Sequence, residues 1–235
     1  MLQRLLAGVA RPLSLALALA FSSAGAAGAT TWNAGDLVTH TQSDWGDVPD
    51  VESVLGANYN TVYAPFGIFQ VGNPAGFTIT FSDPTDLLGY LPAIGTVGPL
   101  VANLSNPTSS ASGSFGGDVA AVKLDVDFSD AGIVHGNLPL KFGDLILHDL
   151  TSTPDFNMRT VRDALAALNS ALGGLPTADS YTDLDTLALE ISAAFFNGSP
   201  SQFAQDHLEA VPEPATATLL GVGLLGLAVA TRRNV

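Results

Sequence analysis

Val122-Lys123-Leu124-Asp125-Val126-Asp127-Phe128 alternates apolar and polar residues without a break. A strand sends successive side chains to opposite faces. The pattern therefore predicts a strand with Val122, Leu124, Val126 and Phe128 on a core and Lys123, Asp125 and Asp127 in solvent. Working outward, Phe77-Thr78-Ile79-Thr80-Phe81 has the same period, with Gly76 before it and Ser82-Asp83-Pro84 after it as breakers. Residues 64–71 (APFGIFQV) are the expected partner strand, and residues 143–150 (GDLILHDL) a further one. Residues 106–117 (NPTSSASGSFGG) carry little bulk and read as a surface loop. Residues 30–153 are thus expected to form a β-rich, sandwich-like body.

Beyond Pro154 the period changes. Val161, Leu165, Leu168 and Leu172 are spaced by four, three and four, which predicts a helix ended by Gly173-Gly174. Residues 183–196 are a second expected helix, with Asp183 and Asp185 near its positive end and Asn197-Gly198 as its stop. Residues 199–209 form a third, with Pro200 in its first turn. The expected fold class is α+β: a β-rich body at 30–153, then a small helical cap at 154–210. No period of 20 to 50 residues repeats, which argues against a solenoid.

Both flanks read as targeting segments. Residues 1–29 begin with Arg4 and Arg11, continue through the uncharged LSLALALAF at 13–21, and end in small residues. That is the layout of a signal peptide. Ala27-Gly28-Ala29 and Ala24-Gly25-Ala26 both fit A-x-A, and cleavage after Ala29 is preferred. As a helix the apolar core spans only about 14 Å, too little to cross a bilayer. At the other end, residues 215–230 (ATATLLGVGLLGLAVA) carry no charge and are followed by Arg232-Arg233. A helix without a polar face is expected in a membrane, here over about 215–231. The arginines hold its end on the cytoplasmic side, so the body faces outward.

Val211-Pro212-Glu213-Pro214 stands just before that span. Two prolines flanking one residue favour an extended backbone, the shape a processing enzyme binds. VPEP, an apolar span and a terminal Arg-Arg together resemble the PEP-CTERM sorting signal of Gram-negative bacteria. The resemblance covers only residues 211–235. It implies recognition and removal of the tail by an inner-membrane exosortase and delivery to the outer surface or an exopolysaccharide matrix. The LPxTG pattern of a sortase signal does not precede the span, and Leu91-Pro92-Ala93-Ile94-Gly95 lacks the threonine.

Charge and composition exclude several classes. Charged residues are 13% of the chain, and Gly and Pro number 24 and 14. All 22 acidic residues, but only four of the eight basic ones, lie within 30–213, a net charge of −18 there. Such a surface repels nucleic acids and anionic membranes. The chain has no cysteine, so disulfides, thiolate metal sites and cysteine nucleophiles are out. His40, His135, His148 and His207 do not pair at metal-ligand spacing. No G-x-S-x-G elbow or phosphate-binding loop occurs. Asp125, Asp127 and Asp130 form the one pattern suited to calcium, although Asp130 stands where an EF-hand loop needs Gly. As a strand face followed by a turn, they need no ligand. Asp44, Asp47, Asp50 and Glu52 surround Trp45 and suit a sugar or a cation, with a solvated loop anchored by Trp45 as the simpler expectation.

The expected function is that of a non-enzymatic surface or matrix protein with no cofactor, calcium apart. Its expected partners are signal peptidase, an exosortase, the inner membrane while the tail remains, and exopolysaccharide. A calcium-assisted adhesin or lectin-like module is the alternative, and a carboxylate-dependent secreted hydrolase the third.

Overall fold

The computed structural model describes residues 31–211. The signal segment with Ala27 and Ala29, the apolar span, and Pro212, Glu213, Pro214, Arg232 and Arg233 lie outside the described residues. In chain order the elements are α1 (Gln42–Asp47), α2 (Pro49–Val62), β1 (Phe69–Gly72), β2 (Thr78–Phe81), α3 (Pro84–Tyr90), β3 (Leu104–Ser105), α4 (Ser114–Asp130), β4 (Ile146–Leu147), α5 (Val161–Leu172), α6 (Tyr181–Ser192), α7 (Gln202–His207) and β5 (Leu208–Glu209). The class is mixed α and β. The expected sandwich is not there: helices dominate, and the strands are few and short.

The largest correction falls on residues 122–128. They lie inside α4, not in a strand. Lys123, Asp127 and Asp130 are the half-exposed positions of its later turns, and they recur at i, i+4 and i+7, a helical stripe. Nearly all the rest of α4 is buried, Asp125 included. A polar residue pointing into the core at 125 is what makes the text alternate. The loop expected at 106–117 also runs on too far. Residues 114–117 are the first turn of α4, where Gly117 lets α1 approach, since a Cβ there would collide with the Gln42 side chain.

The hairpin follows the text more closely. β1 and β2 pair antiparallel, with Phe69 opposite Phe81 and Val71 opposite Ile79. Those four side chains are buried while their neighbours are half-exposed, as period two requires. β3 adds a short parallel pairing, Ile79 to Leu104. Of the strand expected at 143–150, only Ile146–Leu147 forms, paired with β5 at the far end of the chain.

The later helices form where expected, with adjusted ends. α5 buries Val161, Leu165, Leu168 and Leu172, and Gly173-Gly174 ends it. α6 starts earlier than Asp183 because Ser180 caps it, accepting from the Asp183 amide. Ser201 caps α7 in the same way. These helices do not sit apart as a lid. α5 and α6 both pack against α4, and one apolar cluster runs from Trp32 to Leu208.

Candidate functional site

α4 parts the three acids expected to hold calcium. Successive residues on a helix are about 100° apart, so Asp127 points away from Asp125, while Asp130 returns to the face of Asp127. Asp125 is 0% exposed. Its Oδ1 accepts from the His40 amide at 3.0 Å and from Trp45 Nε1 at 3.2 Å, and its Oδ2 has no partner. Burial pushes this carboxyl well above the usual carboxylate range. Asp127 meets Lys123 Nζ at 2.7 Å. Asp130 takes both arms of Arg162, at 2.7 and 3.0 Å, with Lys141 at 3.9 Å. The cations that Asp127 and Asp130 face are the protein's own side chains. Among the described residues no group of three His, Cys, Asp or Glu is arranged to hold a metal ion.

Trp45 behaves as the simpler expectation had it. It is fully buried, edge-on to Phe128 at 5.2 Å and to His40 at 5.2 Å. The acids around it are on helices, not in a loop. Asp44 closes the capping box of α1 with Thr41, and Asp50 and Glu52 lie in the first turn of α2. Burial lowers the His40 pKa, partly offset by Asp44. His40 Nδ1 is buried without a partner, like Asp125 Oδ2.

A carboxyl pair appears that no spacing announced. Asp118 of α4 and Asp185 of α6 meet between the two helices. Gln42 Nε2 donates to Asp118 at 2.9 Å, and Ser114 Oγ donates to Asp185 at 3.2 Å. Burial first, and then the Asp185 carboxylate, push Asp118 up to about 8. The neighbouring carboxylate disfavours a second charge beside the buried Asp118, which favours a proton held between the two groups. The only hint in the text is an acid set in the apolar stretch of residues 115–122.

Two open grooves flank this interior. One, of about 760 Å³, runs between the C-terminal half of α4 and the turn after α2. Phe66 stands 83% exposed on its lip beside Ile68, and Lys123, Asp127 and Asp130 form the opposite wall. Lys123 Nζ lies 5.9 Å from the Tyr63 ring and 5.7 Å from that of Phe69. Burial and the nearby Asp127 raise the Tyr63 pKa well above its ordinary value. The other groove, of about 690 Å³, follows α5, where Asp155, Asp163 and Asp179 surround Arg159.

The two ends of the described chain meet. Trp32 Nε1 donates to the Leu208 carbonyl at 2.9 Å. Gln205 closes the contact from both sides: its Oε1 accepts from the Trp32 amide at 3.1 Å, and its Nε2 donates to the Trp32 carbonyl at 2.8 Å. β5 is zipped onto β4, and Ala210 packs against the core. Residues 210–233 match the PEP-CTERM protein-sorting motif. The chain carries a PEP-CTERM sorting signal. Such a signal marks an exported protein that an exosortase sorts through a membrane-anchored stage. No curated protein and no solved structure matches the chain. The PEP-CTERM match begins directly after β5, and Ala210 and Val211 are its described residues. The Trp32–Leu208 bond brings the first and last parts of the described body together.

Proposed function

We propose that this chain is a non-enzymatic surface or matrix protein. It is exported, held at the inner membrane by its PEP-CTERM tail, released by an exosortase and delivered to the outer surface. There it joins an exopolysaccharide or biofilm layer. The observation that carries this reading is the sorting motif at residues 210–233, set directly against a folded body. The acidity of that body suits it to aqueous surroundings away from anionic lipid. The Asp118–Asp185 pair has the chemistry for acid–base work, but Asp118 is buried and only Asp185 keeps partial contact with solvent, which favours a structural role.

Fractionation of the native host, with and without its exosortase, tests the reading. The protein is expected at the surface in the first strain and in the inner membrane in the second. Pro212→Ala combined with Pro214→Ala should reproduce the second pattern in the wild-type strain. Mass spectrometry of the extracellular form should find no Arg232-Arg233 end; an intact tail there would overturn processing near Pro212.

An adhesin or lectin-like module is the second reading. The exposed Phe66 ring, set beside the polar wall of the α4 groove, favours it, because such a ring binds the apolar face of a sugar or a partner side chain.

A further inference from the structure

A third cavity, of about 190 Å³, lies between the loop at 150–153, one face of α6 and the end of α7. Asp183, Thr186, Leu187 and Glu190 reach it from successive turns of α6, and His207 closes it. Asp183 accepts from Ser180 Oγ at 2.6 Å and has its remaining acceptor positions left for a ligand. Thr153 is 3% exposed, yet its hydroxyl bonds to no other described residue. Glu190 makes no hydrogen bond or ion pair among the described residues. Thr151 and Ser152 are exposed at its rim, where their hydroxyls meet solvent. His207 Nδ1 lies 3.0 Å from the His148 carbonyl. A carbonyl only accepts, so Nδ1 carries the proton and, in the neutral ring, Nε2 remains an open acceptor.

The charge is one-sided. Asp183 and Glu190 line the cavity, and no Lys or Arg does. The four basic side chains of the body are engaged elsewhere: Lys123 at Asp127, Lys141 and Arg162 at Asp130, and Arg159 over the Phe156 ring. Partial burial raises the Glu190 pKa and His207 lowers it, while the carboxyl keeps contact with solvent at the mouth of the cavity. An anion is repelled here. A bare metal ion fits poorly, because Asp183, Glu190 and His207 do not converge at metal-binding distance. The volume lies below the roughly 300–1,000 Å³ of drug-sized pockets, which limits the occupant to about one ring. Leu150 and Leu187 supply an apolar floor, as the C–H face of a sugar ring requires.

We propose that this cavity binds one amino-sugar residue, its ammonium on Glu190 and Asp183 and its hydroxyls on Thr151, Ser152, Thr153 and His207. The site gives the binding-module reading a definite place and rests on that reading, not on the sorting signal. The full chain, purified in detergent, is titrated with glucosamine, glucose, N-acetylglucosamine and methylamine, followed by ligand-observed NMR. Glucosamine is expected to bind saturably, about tenfold or more tighter than the other three. Glu190→Gln should weaken it by about tenfold and Thr153→Val by several-fold, with the circular dichroism spectrum unchanged. Equal binding of glucose and glucosamine, or unchanged affinity in Glu190→Gln, overturns the role of charge. Methylamine binding as tightly as glucosamine overturns the sugar. No binding by a protein that still reaches the host surface removes this site and leaves the delivery reading standing; binding by a protein that fails to reach the surface does the reverse.

Discussion

α5 shows solvent a clear polar face, whereas α4 shows almost none, and that difference decides which of the two is legible. On α5, Arg162, Asp163 and Ala166 are exposed while Val161, Leu165, Leu168 and Leu172 are buried. On α4, residues on every side are buried, because α1, β1, α5 and α6 all pack against it. A helix in the middle of a molecule loses the amphipathic signature that makes helices readable. What remains is a thin stripe, Lys123, Asp127 and Asp130, and Asp125 obscures it.

The sharpest way to break this comparison is to place the same charge on both helices. Ala120 on α4 is fully buried, whereas Ala166 on α5 is exposed. Ala120→Glu buries an unpaired carboxylate in a packed core and should cost about 4 kcal/mol or more. Ala166→Glu should stay within about 0.5 kcal/mol. Urea denaturation reads both, and similar midpoints would mean that α4 is not the central element.

A smaller effect comes from the buried acids of α4. Asp118 is raised from 3.8 to about 8, so the folded state holds its proton more tightly than the unfolded chain. That contribution is fully present below about pH 4 and is lost as pH rises through about 8. Melting temperature should therefore fall across this window. Asp118→Asn, which keeps an acceptor for Gln42 and needs no shared proton, should make the fall shallower. A residual slope of the same sign is expected from Asp125, which burial also raises. An unchanged slope in Asp118→Asn would mean that the pair does not share a proton.

The smallest effect belongs to the solvent stripe. Arg162 joins α5 to Asp130 at the end of α4 and also meets Asp144 at 3.2 Å, but it is half-exposed. Arg162→Ala should cost no more than about 1 kcal/mol, and less in high salt. A loss as large as that of Ala120→Glu would move the weight of the fold from burial to surface pairing.

Legibility followed solvent contact at the candidate sites too. The hairpin at β1 and β2 was readable because one face is buried and the other is not, so period two survives. The acids at 125, 127 and 130 were visible as a cluster, but their neighbours in space were not. The strand reading put Asp125 and Asp127 on one face; the helix sends Asp125 to Trp45 and Asp127 to Lys123. Asp118 with Asp185, and Thr153 with Glu190 and His207, are joined only by helix packing across long stretches of chain. No local pattern encodes such pairs.

The sequence by itself determined the sorting signal. That tail is a linear text, two prolines, an apolar run and two arginines, read by a membrane and an enzyme that take it in order. It also determined α5, the stops at its end and the acidity of the body, because each depends on near neighbours or on a simple count. Only the tertiary structure decided that residues 122–128 are a helix, that Asp125 is buried with its pKa raised, and that Trp32 ties the beginning of the body to Leu208 at its end. Those outcomes depend on which surfaces lose water together, and burial is a property of the whole packed chain.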